Sequence, residues 1–80
     1  MRNISVQYFA VLREQRGLAT ENLLTDAVTP LELYTQLRAT HRFTLPPERI
    51  RAAINDNFAD SSSILREGDR VVFIPPVAGG

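Results

Sequence analysis

The chain has 80 residues, 44% of them apolar, with nine acidic side chains balanced by nine basic ones and no cysteine. That suffices for one small domain with a compact core, and the neutral balance argues against a nucleic-acid binder or a polybasic membrane module. Without cysteine there is no disulfide, thiol nucleophile or thiolate metal ligand, and the single histidine, His41, cannot build a histidine metal site within one chain.

The first strand is expected at Arg2 to Tyr8, where Ile4, Val6 and Tyr8 alternate with Ser5 and Gln7. No apolar leader precedes it and no apolar run approaches the ~20 residues of a membrane span, so a cytoplasmic location is the default expectation. Phe9 to Arg16, closed by Gly17, reads as a short helix with a glycine C-cap. Thr20 to Thr25 is a weaker strand whose apolar content is Leu23 and Leu24. Thr29-Pro30-Leu31-Glu32 predicts a capping box, with Thr29 at the N-cap, Pro30 at N1 and Glu32 at N3. From there Leu33, Tyr34 and Leu37 mark the inner face of a helix running to about His41, and Pro46-Pro47 forbids its continuation. His41, near that helix end, reads as a favourable cation and not as a catalytic group.

Arg51 to Asn55 reads as a third strand, Asp56-Asn57 as a turn pair and Phe58-Ala59 as a brief return strand. Asp60 to Ser63 and Glu67-Gly68-Asp69 are connections, and Asp56, Asp60 and Asp69 are expected to serve turns, not a metal. Arg70 to Ile74 is strongly β-prone and ends at Pro75-Pro76. Strands dispersed around one main helix imply an α+β domain of about four to five strands, with the helix covering one face of the sheet and a second, short helix beside it.

The other face would be open. If Val71 and Phe73 point to the helix, Val72 and Ile74 point outward; Phe9 shares the phase of Ser5 and Gln7, and Phe58 lies beside the turn. Phe9, Phe58, Val72 and Ile74 are therefore expected to form an apolar patch for a permanent protein partner.

Pro75-Pro76-Val77-Ala78-Gly79-Gly80 carries the strongest functional signal. Two prolines stop strand pairing and favour a stiff extended course. The six residues reach ~20 Å when extended. Glycines at 79 and 80 fit a narrow channel and leave a terminal carboxylate unhindered. Residues 1–74 are thus read as the folded domain and 75–80 as a flexible tail. All nine basic residues are arginine, so no side-chain amine is present to accept an acyl group.

The segment Phe73 to Gly80 resembles the closing motif of the molybdopterin synthase small subunits, the sulfur carriers of the ubiquitin-like group. Tyr8-Phe9-Ala10-Val11-Leu12-Arg13-Glu14 is similar to their Phe-Ala-x-x-Arg-Glu segment, and Ala52-Ala53-Ile54-Asn55 and Gly68-Asp69-Arg70-Val71 fit the same pattern. Ile74 stands where the family often has an aromatic residue. The resemblance implies a β-grasp fold and a non-catalytic subunit with no bound cofactor. It implies that an ATP-using adenylyltransferase, similar to ubiquitin-activating enzymes, adenylates the Gly80 carboxylate, and that a sulfurtransferase system converts it to a thiocarboxylate. The tail, Pro75 to Gly80, then enters the active site of the large synthase subunit and gives its sulfur to cyclic pyranopterin monophosphate, within a heterotetramer. Arg13, which falls in the motif, joins the partner interface on the same ground. Three other readings stay open: a thiamine-pathway sulfur carrier, a ubiquitin-like protein modifier, and a plain adaptor with an idle tail.

Overall fold

The computed structural model describes residues 1–60 and 62–76. The elements are β1 (Arg2–Tyr8), α1 (Ala10–Arg16), β2 (Thr20–Thr25), α2 (Pro30–His41), a 3-10 turn (Pro47–Arg49), β3 (Arg51–Ile54), β4 (Asn57–Ala59) and β5 (Arg70–Ile74). Local chemistry accounts for their ends. Gly17 closes α1 in the left-handed region at φ 81°, and its N–H donates to the Arg13 carbonyl at 2.9 Å. Thr29 Oγ1 accepts the Glu32 N–H at the start of α2, and Pro30 fills its first turn. The Glu32 carboxylate reaches back to the N–H of Val28, one residue before the cap, instead of to Thr29. The helix ends at Arg42, left-handed at φ 58°, before the two prolines are reached.

Two boundaries differ from the sequence expectation: α1 starts at Ala10, with Phe9 extended at its N-cap, and the hairpin turn after β3 is shifted. The turn after β3 is Asn55-Asp56, not Asp56-Asn57, and Asn57 already belongs to β4 opposite Ile54. A two-residue hairpin turn of this hand needs positive φ at both central residues, and Asn55 and Asp56 sit at 51° and 73°. Asn and Asp tolerate that conformation better than other non-glycine residues.

The five strands form one mixed sheet in the order β2-β1-β5-β3-β4. β1 and β5 run parallel at its centre, and the remaining neighbours are antiparallel. One face is packed under α2: Ile4, Val6, Tyr8, Ala52, Val71 and Phe73 meet Leu33, Tyr34 and Leu37, with Leu12, Phe43 and Leu65 closing the ends. Tyr34 lies between Phe73 and Phe43, with ring centroids 5.3 and 5.9 Å away, and Phe43 meets Tyr8 edge-on at 5.7 Å. This is the ubiquitin-like β-grasp architecture, as expected. Among the described residues the opposite face carries no helix, and a row of side chains crosses it: Gln7, Val72, Ala53 and Phe58, from β1, β5, β3 and β4. Among the described residues no helix is long and apolar enough to cross a membrane.

Candidate functional site

The open face and the end of β5 meet at a corner. Phe9 follows β1 directly and keeps an extended backbone (φ −125°, ψ 152°), so its ring retains the phase of Ser5 and Gln7 and is 43% exposed. Its carbonyl accepts the Leu12 N–H at 3.1 Å, which starts α1. Ile74 ends β5 on the same face, paired with Arg51. Phe9, Val11, Leu45, Ile74, Pro75 and Pro76 line a mostly apolar hollow of about 520 Å³, together with Ala10. Pro75 is buried while Pro76 is exposed, so the folded body extends one residue into the segment read as tail. Val77, Ala78, Gly79 and Gly80 lie outside the described residues.

Of the side chains expected on the patch, Phe9 and Ile74 come together at the hollow. Phe58 stands farther along the face on edge strand β4, opposite Ala53, and is 71% exposed. Val72 requires a correction. It lies on the open face, in register with Gln7 and Ala53, but the sheet's central strands crowd it to 8% exposure, so it offers little contact area. Arg13 is exposed in the last turn of α1 and makes no side-chain hydrogen bond among the described residues. Tyr34 belongs to the core and donates its hydroxyl to the Leu45 carbonyl at 2.8 Å. Among the described residues no group of three or more His, Asp or Glu side chains could hold a metal ion.

Sequence reasoning missed the polar support behind the corner. Glu21 on β2 pairs with Val6 and so falls on the core side of the sheet. Tyr8 Oη donates to Glu21 Oε2 at 2.6 Å, and Arg16 grips the same carboxylate through Nε at 2.8 Å and Nη2 at 2.9 Å. Those Arg16 bonds hold the Glu21 carboxyl below the ordinary carboxylate range, with Tyr8 and the neighbouring charges adding to the effect against partial burial. Burial, followed by the Glu21 contact, pushes the Tyr8 phenol above its usual value. His41 is pushed down, first by desolvation and then by Arg16. The one sequence signal for this cluster was a carboxylate at an inward-phased strand position.

Residues 6–80 match the ThiS family. The chain belongs to the ThiS family. It is 34% identical over 80 residues to the molybdopterin synthase sulfur carrier subunit of Escherichia coli (strain K12), across 96% of this chain and 99% of that protein. The protein of the same name from Mycobacterium tuberculosis (strain ATCC 25618 / H37Rv) is 33% identical over 92 residues, with both chains covered in full. Among solved structures, a chain in the complex of subunits 1 and 2 of molybdopterin-converting factor from Helicobacter pylori 26695 superposes with a TM-score of 0.64. It is 26% identical, across 98% of this chain and 99% of that one. The match of this ThiS-family member to the family runs through the C-terminal Gly-Gly.

Proposed function

We propose that this protein is the sulfur-carrier subunit of a molybdopterin synthase, a folded handle whose working group is the Gly80 carboxylate. The observation that carries the reading is the place where β5 ends. Pro75 and Pro76 leave the sheet beside Phe9 and Ile74, at an apolar hollow on a face that α2 leaves uncovered. A partner seated there adjoins Pro76, the last described residue before the C-terminal Gly-Gly. The names of the curated relatives supply the pathway.

The chemistry follows from the end-group. A carboxylate is a poor electrophile. An ATP-dependent adenylyltransferase lets the Gly80 carboxylate attack the α-phosphorus of ATP; pyrophosphate leaves and an acyl adenylate remains. A terminal persulfide on a sulfurtransferase then attacks the carbonyl carbon and AMP departs, leaving an acyl disulfide; a second thiol attacks the donor's own sulfur, is oxidised to a disulfide with it, and so releases the thiocarboxylate. Within the large subunit the thiocarboxylate sulfur attacks a carbon of cyclic pyranopterin monophosphate and an oxygen substituent leaves that carbon; water then hydrolyses the acyl–sulfur bond, restoring the Gly80 carboxylate and leaving the sulfur on the pterin. The carrier supplies neither a catalytic side chain nor a bound cofactor. It holds sulfur on a tether and so raises its local concentration at the partner's site. The large subunit provides the catalytic groups, and a cytoplasmic location belongs to the same reading.

Intact-mass spectrometry of the protein from its native cells is expected to show a fraction in which one terminal oxygen is replaced by sulfur, with the large subunit co-purifying. Restoration of molybdenum-cofactor synthesis by a chain lacking Gly80, in a cell without the native gene, would refute the proposal. Capture of thiazole synthase instead of the large subunit would move the protein to the thiamine pathway.

A further inference from the structure

Ala10 sits at φ 51°, a left-handed conformation that is unfavourable for a residue with a Cβ. It lies between Phe9, whose ring is presented on the open face, and Val11, which lines the hollow. A strained residue persists where its surroundings over-determine it, and here they do. Tyr8, the residue before Phe9, and Arg16, the last residue of α1, are both bound to the Glu21 carboxylate. One side chain on β2 thus clamps both ends of the Phe9–Arg16 segment. On the other flank Gln15 Nε2 donates to Thr44 Oγ1 at 2.9 Å and Gln15 Oε1 accepts the Thr44 N–H at 3.2 Å, fixing the loop that brings Leu45 to the hollow.

We infer that Glu21 and the left-handed Ala10 are positioning residues for partner docking: they hold Phe9 in its bound orientation before the large subunit arrives. The inference rests on the proposed carrier function. Neither residue needs to touch the partner. Their contribution is to remove an ordering cost that would otherwise be met on binding.

The test measures the affinity of the purified large subunit for the full-length carrier and for Ala10→Gly, Glu21→Gln and Phe9→Ala, together with the thermal midpoint of each. Glycine relieves the left-handed strain and frees the corner. Ala10→Gly is therefore expected to keep or raise the midpoint while weakening binding roughly three- to tenfold. Glu21→Gln is expected to weaken binding in the wild-type background but to add nothing once Phe9 is alanine, because it acts through that ring. The inference is overturned if Ala10→Gly binds as tightly as wild type. It is equally overturned if the Glu21→Gln penalty is the same with and without Phe9, which would leave Glu21 a purely structural role. A wild-type chain that fails to bind the large subunit would sink the carrier reading itself, and is told apart because no variant is needed to see it.

Discussion

Asn55 donates its side-chain N–H to Asp69 Oδ1 at 2.9 Å, joining the turn after β3 to the turn before β5 across 14 residues of sequence. The other Asp69 oxygen accepts the Arg66 N–H at 2.8 Å, and Asn55 Oδ1 accepts the Arg70 N–H at 3.0 Å. This knot fixes the hairpin that carries Phe58. Asp69 is buried, so Asp69→Ala strips the acceptor from two donors and is expected to cost about 1–3 kcal/mol. Asp69→Asn keeps one carbonyl acceptor and should lose less. Urea unfolding checks both. An unchanged midpoint for the alanine variant would show the knot to be dispensable.

Acid should weaken the Glu21 clamp. Its carboxyl is lowered below the ordinary 4.5, chiefly by Arg16. A depressed carboxyl contributes stability that is fully present above the unfolded-state value and is lost as pH falls through the folded one. The stability difference between wild type and Glu21→Gln should therefore be present at neutral pH and shrink below 4.5, with His41, whose charge interacts with Glu21, the other group that shapes it between. Comparing the pair cancels the contribution of Glu67, which Asn3 also lowers. A difference that did not depend on pH would mean Glu21 is not held ionised by Arg16.

At the alkaline end the two tyrosines act in the opposite sense. Burial raises both Tyr8 and Tyr34 above the ordinary 10.0. A raised group contributes stability that is complete below the unfolded value and is lost as pH rises toward the folded one. Tyrosinate absorbance should consequently appear only above pH 10.0, and together with loss of structure. In Tyr8→Phe the alkaline loss should be smaller, since one of the two phenols is gone. Ionisation of either ring at pH 10.0 in a folded chain would contradict the burial described for it.

The parts of this fold that were legible in the sequence are the local ones. Period-2 alternation placed β1, and Thr29, Pro30 and Glu32 placed the start of α2, because strand phase and capping act within a few residues. The hairpin turn was misplaced by one residue, since its position is set by pairing of Ile54 with Asn57 across the sheet. Val72 was correctly assigned to the open face, but its burial depends on Gln7 and Ala53, neighbours that only the sheet order supplies. Glu21 lay in a strand read as weak, and its partners Tyr8 and Arg16 come from two other elements. The apolar hollow has the same character: Leu45 reaches it from the loop after α2, far from Phe9 and Ile74 in sequence.

The difference between Val72 and its neighbours gives the open face its sharpest test. Ile74 lines the hollow and Phe58 projects from edge strand β4, so each can lose its apolar surface to a partner without disturbing the core. Ile74→Asp and Phe58→Asp are expected to leave the thermal midpoint nearly unchanged and to weaken binding of the large subunit by about 2 kcal/mol or more, as the loss of an apolar anchor does. Val72→Ala should do the reverse. It removes two buried methyl groups from the sheet centre and should cost about 1–2 kcal/mol of stability, yet with 8% of the residue exposed it should leave affinity close to wild type. Calorimetric unfolding and a binding titration on the same three variants separate the two effects. If Val72→Ala abolished binding in a folded chain while Ile74→Asp bound normally, the partner would be seated over the sheet centre and not at the corner where Pro75 leaves it.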